Sequence, residues 1–201
     1  MTIGIDIDDV ITNTAEILVA YAQLFNFEYL KKHNHLEKEK VYSIINGDTL
    51  ANNCGWNEEE VIEFKKKYHE HILINSNIKP LAKEIIDRLI SEGHEIHLIT
   101  ARNSAGDLIS DSYKVSEKLL SRNKINYHKL VTECSDKLSY CKNNNVNIFI
   151  DDSLPTCQSV ATSNTKVFLM NGPHNINFDE KNITRVYSWS DFYYQINKIL
   201  E

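Results

Sequence analysis

The sequence is poor in cysteine and contains no long hydrophobic run. Four cysteines occur among its 201 residues, and none has CxxC or zinc-ribbon spacing. Since no secretory leader pattern precedes the first predicted strand, we expect free thiols and a cytoplasmic location rather than a disulfide framework. No apolar run approaches the roughly 20 residues that span a bilayer, so a membrane is not an expected partner.

Positive charge is also scarce. The chain carries 22 Lys and Arg against 28 Asp and Glu, a formal net charge of −6. This balance argues against a nucleic-acid polymer as the partner, because phosphate backbones are bound by basic surfaces. A small anionic substrate could still be held by a metal ion and a few basic side chains. The length fits one core with an insertion, and both a monomer and a homodimer are compatible with it.

Five short, nearly continuous apolar runs predict strands that are buried on both faces, as in parallel sheets. They cover residues 2–6, 95–100, 128–131, 147–151 and 165–170. Helical patterns fill the gaps, from Pro80 to Gly93, over 107–122, over 136–143, after Pro155, and in a last helix that Ser188 or Ser190 could cap. This alternation predicts a doubly wound α/β sheet, whose ligand site lies at the carboxyl ends of the strands.

The stretch 14–77 breaks this alternation. It contains no convincing strand, and its apolar residues recur at helical spacing. Asn57, followed by Glu60, has the pattern of a capping box. We therefore expect a core formed by 1–13 and 78–201, with 14–77 as a small helical cap inserted after the first strand. Its position over the strand ends makes it a lid and specificity element.

Carboxylates cluster where two of the predicted strands end. Asp6 and Asp8 follow the first strand, and Asp151 and Asp152 follow the fourth. Residues two apart on an extended segment point the same way, so Asp6 and Asp8 can both face a ligand. Because clustered like charges raise the energy of a site unless a cation lies among them, we predict a divalent metal site here.

Three further residues at strand or helix ends could bind an anion. The hydroxyl of Thr100 and the amide of Ala101 can donate to a phosphate oxygen, although threonine commonly ends strands for structural reasons. Lys137 opens a predicted helix and could offset negative charge, with Lys142 as a competitor for this role. Together with the carboxylates, these groups indicate a phosphate site.

Taken in order, these residues resemble the haloacid dehalogenase-like hydrolase superfamily. Its first motif, DxDx(T/V), corresponds to Asp6-Ile7-Asp8-Asp9-Val10, its second to Thr100, its third to Lys137 and its fourth to Asp151-Asp152. The resemblance implies a Rossmann-like three-layer α/β core with a parallel sheet. A second aspartate at the position of Asp8 is typical of the superfamily's Mg²⁺-dependent phosphatases, whereas its dehalogenases lack it.

The resemblance also implies a role for each acidic residue. Asp6 would be the nucleophile that forms an aspartyl-phosphate, and Asp8 would act as acid and then as base. Mg²⁺ would be bound by Asp6, the main-chain carbonyl of Asp8, and Asp151. Asp152 would act through water or orient its neighbours. Asp9 has no place in this scheme, and we expect it to cap a helix or lie at the surface.

Within the superfamily, the chain resembles the 5'(3')-deoxyribonucleotidases and related bacterial nucleotidases. The insertion corresponds to a helical cap, and residues 171–175 and 185–189 look like that family's tail, although the family often has a tyrosine where His174 stands. The expected substrate is therefore a nucleoside monophosphate. Alternatives are another small phosphate ester, such as a sugar phosphate or a nucleic-acid 3'-phosphate, and a non-catalytic Mg²⁺ or nucleotide-binding module. A receiver domain is disfavoured because its acidic pair precedes its acceptor aspartate.

Several cap residues could contact the substrate. Trp56 is the preferred candidate for stacking on a base, because residues 54–57 have the pattern of a loop. We expect the other cap aromatics to pack in the cap's own core: Tyr21, Phe25, Phe27 and Tyr42. Arg102 could contact substrate or pair with a neighbouring acid. The histidine pairs His33/His35 and His69/His71 lack acidic or cysteine partners for zinc, so we expect solvated side chains.

Overall fold

The described residues of the computed structural model, 1–32, 54–176 and 181–200, form a parallel six-stranded sheet with helices around it. The strand order is β3-β2-β1-β4-β5-β6. The strands are β1 Thr2–Ile5, β2 Glu95–Ile99, β3 Lys129–Val131, β4 Ile148–Asp151, β5 Lys166–Met170 and β6 Ile183–Val186. All five predicted strands are confirmed. The sixth was missed because β6 is a half-buried edge strand with polar Thr184 and Arg185 at its centre.

Strand β1 lies at the centre of the sheet and brings the site residues together. It pairs in parallel with β2 on one side and β4 on the other, with Ile5 opposite both Leu98 and Ile150. The Asp6 amide continues this ladder by donating to the Ile150 carbonyl at 3.0 Å. Because the three strands are parallel and in register, the residues that follow them meet at one edge of the sheet.

Helices cover both faces of the sheet, and their ends follow the turn signals of the sequence. The core helices are α4 Ala82–Ser91, α5 Ser112–Arg122, α6 Lys137–Asn143, α7 Leu154–Val160 and α8 Trp189–Leu200. Helix α4 ends just before Gly93, which has a φ of 84°. Ser188 precedes α8 and accepts from the Asp191 amide at 3.1 Å, so it is the predicted cap.

The helix predicted over 107–122 begins five residues later than expected. Leu108 has a φ of 53°, which interrupts a helix, and the chain turns before α5 starts. The side chain of Asp111 accepts from the Lys114 amide at 2.9 Å and caps α5. The hydrophobic pattern of α5 therefore led to a predicted helix that was too long at its start. The extra residues belong to a loop that borders the site.

The described part of the segment predicted as a cap contains α1 Thr14–Glu28, α2 Glu58–Phe64, a π-helical turn Lys65–His69 and α3 Glu70–Asn75. The predicted capping box of Asn57 and Glu60 is present in both directions. These helices enclose an apolar cluster of their own, apart from the core of the sheet. The two connections to the core run side by side, since the Asn13 amide donates to the Asn77 carbonyl at 2.9 Å and a bridge joins Thr12 and Ile78.

Among the described residues, no helix is both long enough and apolar enough to cross a membrane.

The fold predicts that Gly4→Ala destabilises the protein, because β1 has no room for a methyl group. A Cβ on Gly4 would lie 2.9 Å from Ile99 Cδ1 and 3.0 Å from Phe149 Cδ2. We expect a loss of about 1–3 kcal/mol in the free energy of unfolding, measured by urea denaturation. Gly106→Ala is the control, because its Cβ would meet nothing closer than 3.6 Å. Equal stability of the two variants would contradict the packing of β1.

Candidate active site

A cleft of about 480 Å³ opens at the carboxyl edge of the sheet, beneath the cap. It is lined from the core by residues that follow β1, β2 and β4, and from the cap by α1, α3 and the π-helical turn. The predicted catalytic, phosphate-binding and metal-binding residues all line this cleft: Asp6, Asp8, Thr100, Ala101, Lys137, Asp151 and Asp152. Strand order, rather than nearness in sequence, brings them together.

Three carboxylates form the centre of the cleft. Oxygen atoms of Asp6, Asp151 and Asp152 all lie within 4.8 Å of one another, and all three residues are buried. Lys137 lies between two of them, since its Nζ donates to Asp6 and, at 2.7 Å, to Asp151 Oδ2. The Ser153 amide donates to the other oxygen of Asp151 at 2.8 Å. We call Asp6, Asp151 and Asp152 the acidic triad.

The acidic triad suits a divalent cation such as Mg²⁺. Burial raises the pKa of Asp6 well above its usual value; Lys137 opposes this effect, and Asp151 and Asp152 add to it. Burial likewise raises the pKa of Asp152, and the charge of Asp151 contributes. Three carboxylates against one ammonium group leave an excess of buried negative charge. Hard oxygen donors at this spacing match the ligands that Mg²⁺ prefers, and such an ion would relieve the repulsion.

The Asp8 carboxylate is held apart from the triad by a different partner. Arg102 donates to it through Nε at 2.8 Å and Nη2 at 2.7 Å, and Thr14 Oγ1 donates to Oδ1 at 2.7 Å. Burial acts to raise the pKa of Asp8, but Arg102 and these hydrogen bonds outweigh it, so the pKa is lowered. The side chain of Asp8 is therefore ionised and outside the triad, which leaves only its main-chain carbonyl for the predicted metal contact.

Arg102 pairs with a neighbouring acid, which is one of the two roles considered for it from the sequence. Its side chain is 2% exposed, and its guanidinium group forms a two-point ion pair with Asp8 and a longer hydrogen bond to Ser116. This ion pair fixes the position of the carboxylate that faces the cleft. Arg102 also lines the cleft, so its contact with substrate stays a prediction.

The residues predicted to bind phosphate lie on the floor of the cleft. Thr100 is buried, and its Oγ1 accepts from the Arg102 amide at 3.2 Å. Ala101 lines the same cleft. The competitor Lys142 lies elsewhere, beside residues 145–147 at the amino ends of the strands. Lys137 is thus the lysine that meets the carboxylates.

Asp9 caps a helix. Both of its carboxylate oxygens accept from the Ala15 amide, at 3.0 and 3.2 Å, in the first turn of α1. Its φ of 55° turns the chain from β1 towards the cap. Burial, followed by the charge of Asp152, raises the pKa of Asp9 to about 7. Its side chain also borders the cleft. Of the two roles expected from the sequence, the helix cap is the one that these hydrogen bonds show.

Trp56 lies in the core of the cap, which corrects the expectation that it stacks on a base. It is 4% exposed, and its Nε1 donates to Asn26 Oδ1 at 2.5 Å. Its ring meets those of Phe25 and Phe64 at centroid distances of 5.0 and 4.9 Å. A loop pattern in the sequence does not reveal burial by distant helices, and for this reason Trp56 was misassigned. Tyr42, like His33 and His35, lies outside the described residues.

Two histidines reach the site although their sequence context did not predict it. His69 lines the cleft from the π-helical turn, and its Nδ1 lies 2.9 Å from the Asp107 carbonyl, so it is not the solvated side chain expected. His174 Nε2 lies 2.9 Å from Asp152 Oδ2. The tail pattern around His174 was visible in the sequence, but only the fold shows which residue it contacts.

The chain is similar to known proteins in sequence and in fold. No family model matches it. A curated nucleotidase of Clostridium acetobutylicum is 25% identical over 144 residues, which is 71% of this chain and 71% of that protein.

Solved structures share the fold over nearly the whole chain. A haloacid dehalogenase-like hydrolase from Streptococcus pneumoniae has a TM-score of 0.67 at 8% identity, covering 100% of this chain and 98% of that one. A predicted phosphoglycolate phosphatase from Haemophilus somnus has a TM-score of 0.68 at 17% identity, covering 100% and 97%. A β-phosphoglucomutase from Clostridium difficile has a TM-score of 0.63 at 18% identity, covering 100% and 99%. The predicted fold is confirmed.

The raised pKa of Asp9 predicts a pH-dependent effect of Asp9→Asn on the stability of the protein in EDTA. The folded state binds the proton of Asp9 more tightly than the unfolded state, so stability falls as pH rises from about 4 to about 7. Asparagine keeps an acceptor for the Ala15 amide and tolerates a positive φ. We expect the variant to exceed the wild type by about 1 kcal/mol at pH 8 and by little at pH 4.5.

Urea denaturation at both pH values measures this difference. Asp111→Asn is the control, because it exchanges one good N-cap for another on an exposed carboxylate with a lowered pKa, and should show no such gain. An effect of Asp9→Asn that is the same at both pH values would contradict the assignment.

Proposed function

We propose that this chain, which has the haloacid dehalogenase-like fold, is a Mg²⁺-dependent phosphomonoester hydrolase. One observation carries the proposal: the buried Asp6 carboxylate, paired with Lys137, lies in one cleft with two more triad carboxylates and with the Asp8 carboxylate fixed by Arg102. A structural role does not require such a costly concentration of buried charge. Relatives and structural neighbours named as phosphatases and nucleotidases support the same chemistry.

In the first step, an Asp6 oxygen attacks the phosphorus atom and the ester P–O bond breaks. Asp8 gives a proton to the leaving oxygen. Lys137 offsets the charge of the nucleophile, while the Thr100 hydroxyl and the Ala101 amide donate to phosphate oxygens. Bound by the acidic triad, Mg²⁺ would neutralise negative charge on the phosphoryl oxygens.

In the second step, water attacks the phosphorus of the aspartyl-phosphate and Asp6 is released. Asp8 accepts the proton of this water, a role suited to the ionised carboxylate that Arg102 maintains. For the first step Asp8 must carry a proton, and a dianionic phosphate bound beside it favours its protonation. The two-point contact with Arg102 keeps the carboxylate in place through both steps.

A nucleoside monophosphate is the substrate that we propose first. It is supported by the relative named a nucleotidase, by the helical cap over the site and by the tail around His174. Another small phosphate ester is the second candidate. The burial of Trp56 favours it, because this removes the best stacking platform for a base, and so do neighbours named phosphoglycolate phosphatase and β-phosphoglucomutase.

The proposal predicts that Asp6→Asn abolishes turnover while preserving the fold. The change removes the nucleophile but keeps its shape, and Lys137 retains its contact with Asp151. We expect phosphate release to fall by roughly 10³-fold or more, with an unchanged far-UV circular dichroism spectrum. Asp87→Asn is the control, because Asp87 lies on α4 and pairs with Lys83 away from the cleft. An active Asp6→Asn protein would overturn the assignment of the nucleophile.

An assay on a panel of phosphate esters tests which of the two substrate classes is correct. The wild type, with Mg²⁺ or with EDTA, is assayed on nucleoside 5'-monophosphates, sugar phosphates and phosphoglycolate. We expect Mg²⁺-dependent phosphate release, with the highest kcat/KM on a nucleoside monophosphate. A clear preference for the other esters would favour the second candidate. Mg²⁺ binding without turnover on any member would instead indicate a regulatory module and refute the hydrolase.

A further inference from the structure

The three triad carboxylates are not held in the same way. Lys137 contacts Asp6 and Asp151. The Asp152 carboxylate lies against His174, whose Nε2 is 2.9 Å from Oδ2. The same Nε2 is hydrogen-bonded to the Asp152 main-chain carbonyl at 3.1 Å. Both of these groups are acceptors, which assigns the donated proton to Nε2.

The segment that carries His174 is itself clamped to Asp152. Asn175 Nδ2 donates to the Asp152 carbonyl at 2.8 Å and to the Met170 carbonyl at 2.9 Å. Arg185, from strand β6, donates to Asn175 Oδ1 at 2.7 Å and to the Asn175 carbonyl at 2.8 Å. The edge strand thus anchors a turn whose side chains converge on one metal-site aspartate.

Gly172 makes room for the imidazole. A Cβ at this position would lie 2.8 Å from His174 Cε1 and 3.2 Å from its Nδ1. The ring therefore packs directly on the backbone of Gly172, and its side chain is 1% exposed. A ring confined in this way can hold the Asp152 carboxylate in one orientation.

We infer that His174 is a positioning residue for Asp152 and thereby sets the affinity of the acidic triad for its divalent cation. The inference rests on the proposed function only through the metal site. Groups that contact a metal ligand rather than the metal, and thereby orient that ligand, typically contribute 10-fold to 100-fold to metal affinity. Here a histidine from the carboxyl-terminal part of the chain acts on a carboxylate that Lys137 does not contact.

The test is Mg²⁺ affinity, measured by calorimetric titration of metal-free protein, together with the melting temperature in EDTA. His174→Ala should raise the Kd for Mg²⁺ by about 10-fold or more. His174→Gln, whose amide can still donate to Asp152, should restore much of the affinity. Gly172→Ala, which displaces the ring without removing it, should weaken binding like His174→Ala and provides a second route if that variant folds poorly.

Asn171→Ala is the matched control. Asn171 belongs to the same turn and accepts from Arg185 at 3.0 Å, but it does not contact Asp152 in the described structure. It should lower the melting temperature slightly and leave the Kd for Mg²⁺ within about 2-fold of the wild type. A Kd that rises equally in Asn171→Ala and His174→Ala would show that only the integrity of the turn matters and would overturn the inference.

Two negative results are distinguishable. If the wild type binds Mg²⁺ and His174→Ala binds it equally well, the role of His174 is wrong and the proposed hydrolase is unaffected. If the wild type does not bind Mg²⁺, the metal site is wrong, and the proposed function and the inference are both refuted.

Discussion

The ion pairs of Lys137 with Asp6 and Asp151 are the interaction on which the rest of the site depends. They join the ends of two neighbouring strands through one buried ammonium group at the first residue of α6. Without this charge, three buried carboxylates would face one another unneutralised, a state whose cost rises steeply with burial. Lys137 therefore makes this cluster possible, and the negative charge that remains after its ion pairs suits the cluster to a divalent cation.

The Asp8 carboxylate connects the core to the cap through an ion pair on one side and a hydrogen bond on the other. Asp8 is held from the core by Arg102 and from the first residue of α1 by Thr14. Thr14 in turn bonds to Ser76, the residue that follows α3, at 3.2 Å. Both connections of the cap thus lie one or two hydrogen bonds from Asp8. The orientation of this carboxylate and the placement of the cap are consequently parts of one arrangement.

Much of the fold and site could be predicted from local pattern. Nearly continuous apolar runs predicted five strands, including the edge strand β3, but β6 has polar residues at its centre and gave too weak a signal. Carboxylates directly after buried strands identified Asp6 and Asp151 as candidate site residues, because charges at such positions do not stabilise a folded core. By contrast, Trp56 was misassigned because burial by helices from elsewhere in the chain leaves no local trace.

The sequence by itself determined five of the six described strands, most of the helix ends and the members of the acidic triad, since each depends on periodicity, capping or strand ends within a few neighbouring residues. Only the tertiary structure decided which side chains pair with one another in the site. Arg102 meets Asp8 across 94 positions of the chain, and His174 meets Asp152 across 22. The physical reason is that such pairs form only when strand order and packing bring separate segments together, and no short-range pattern encodes that outcome.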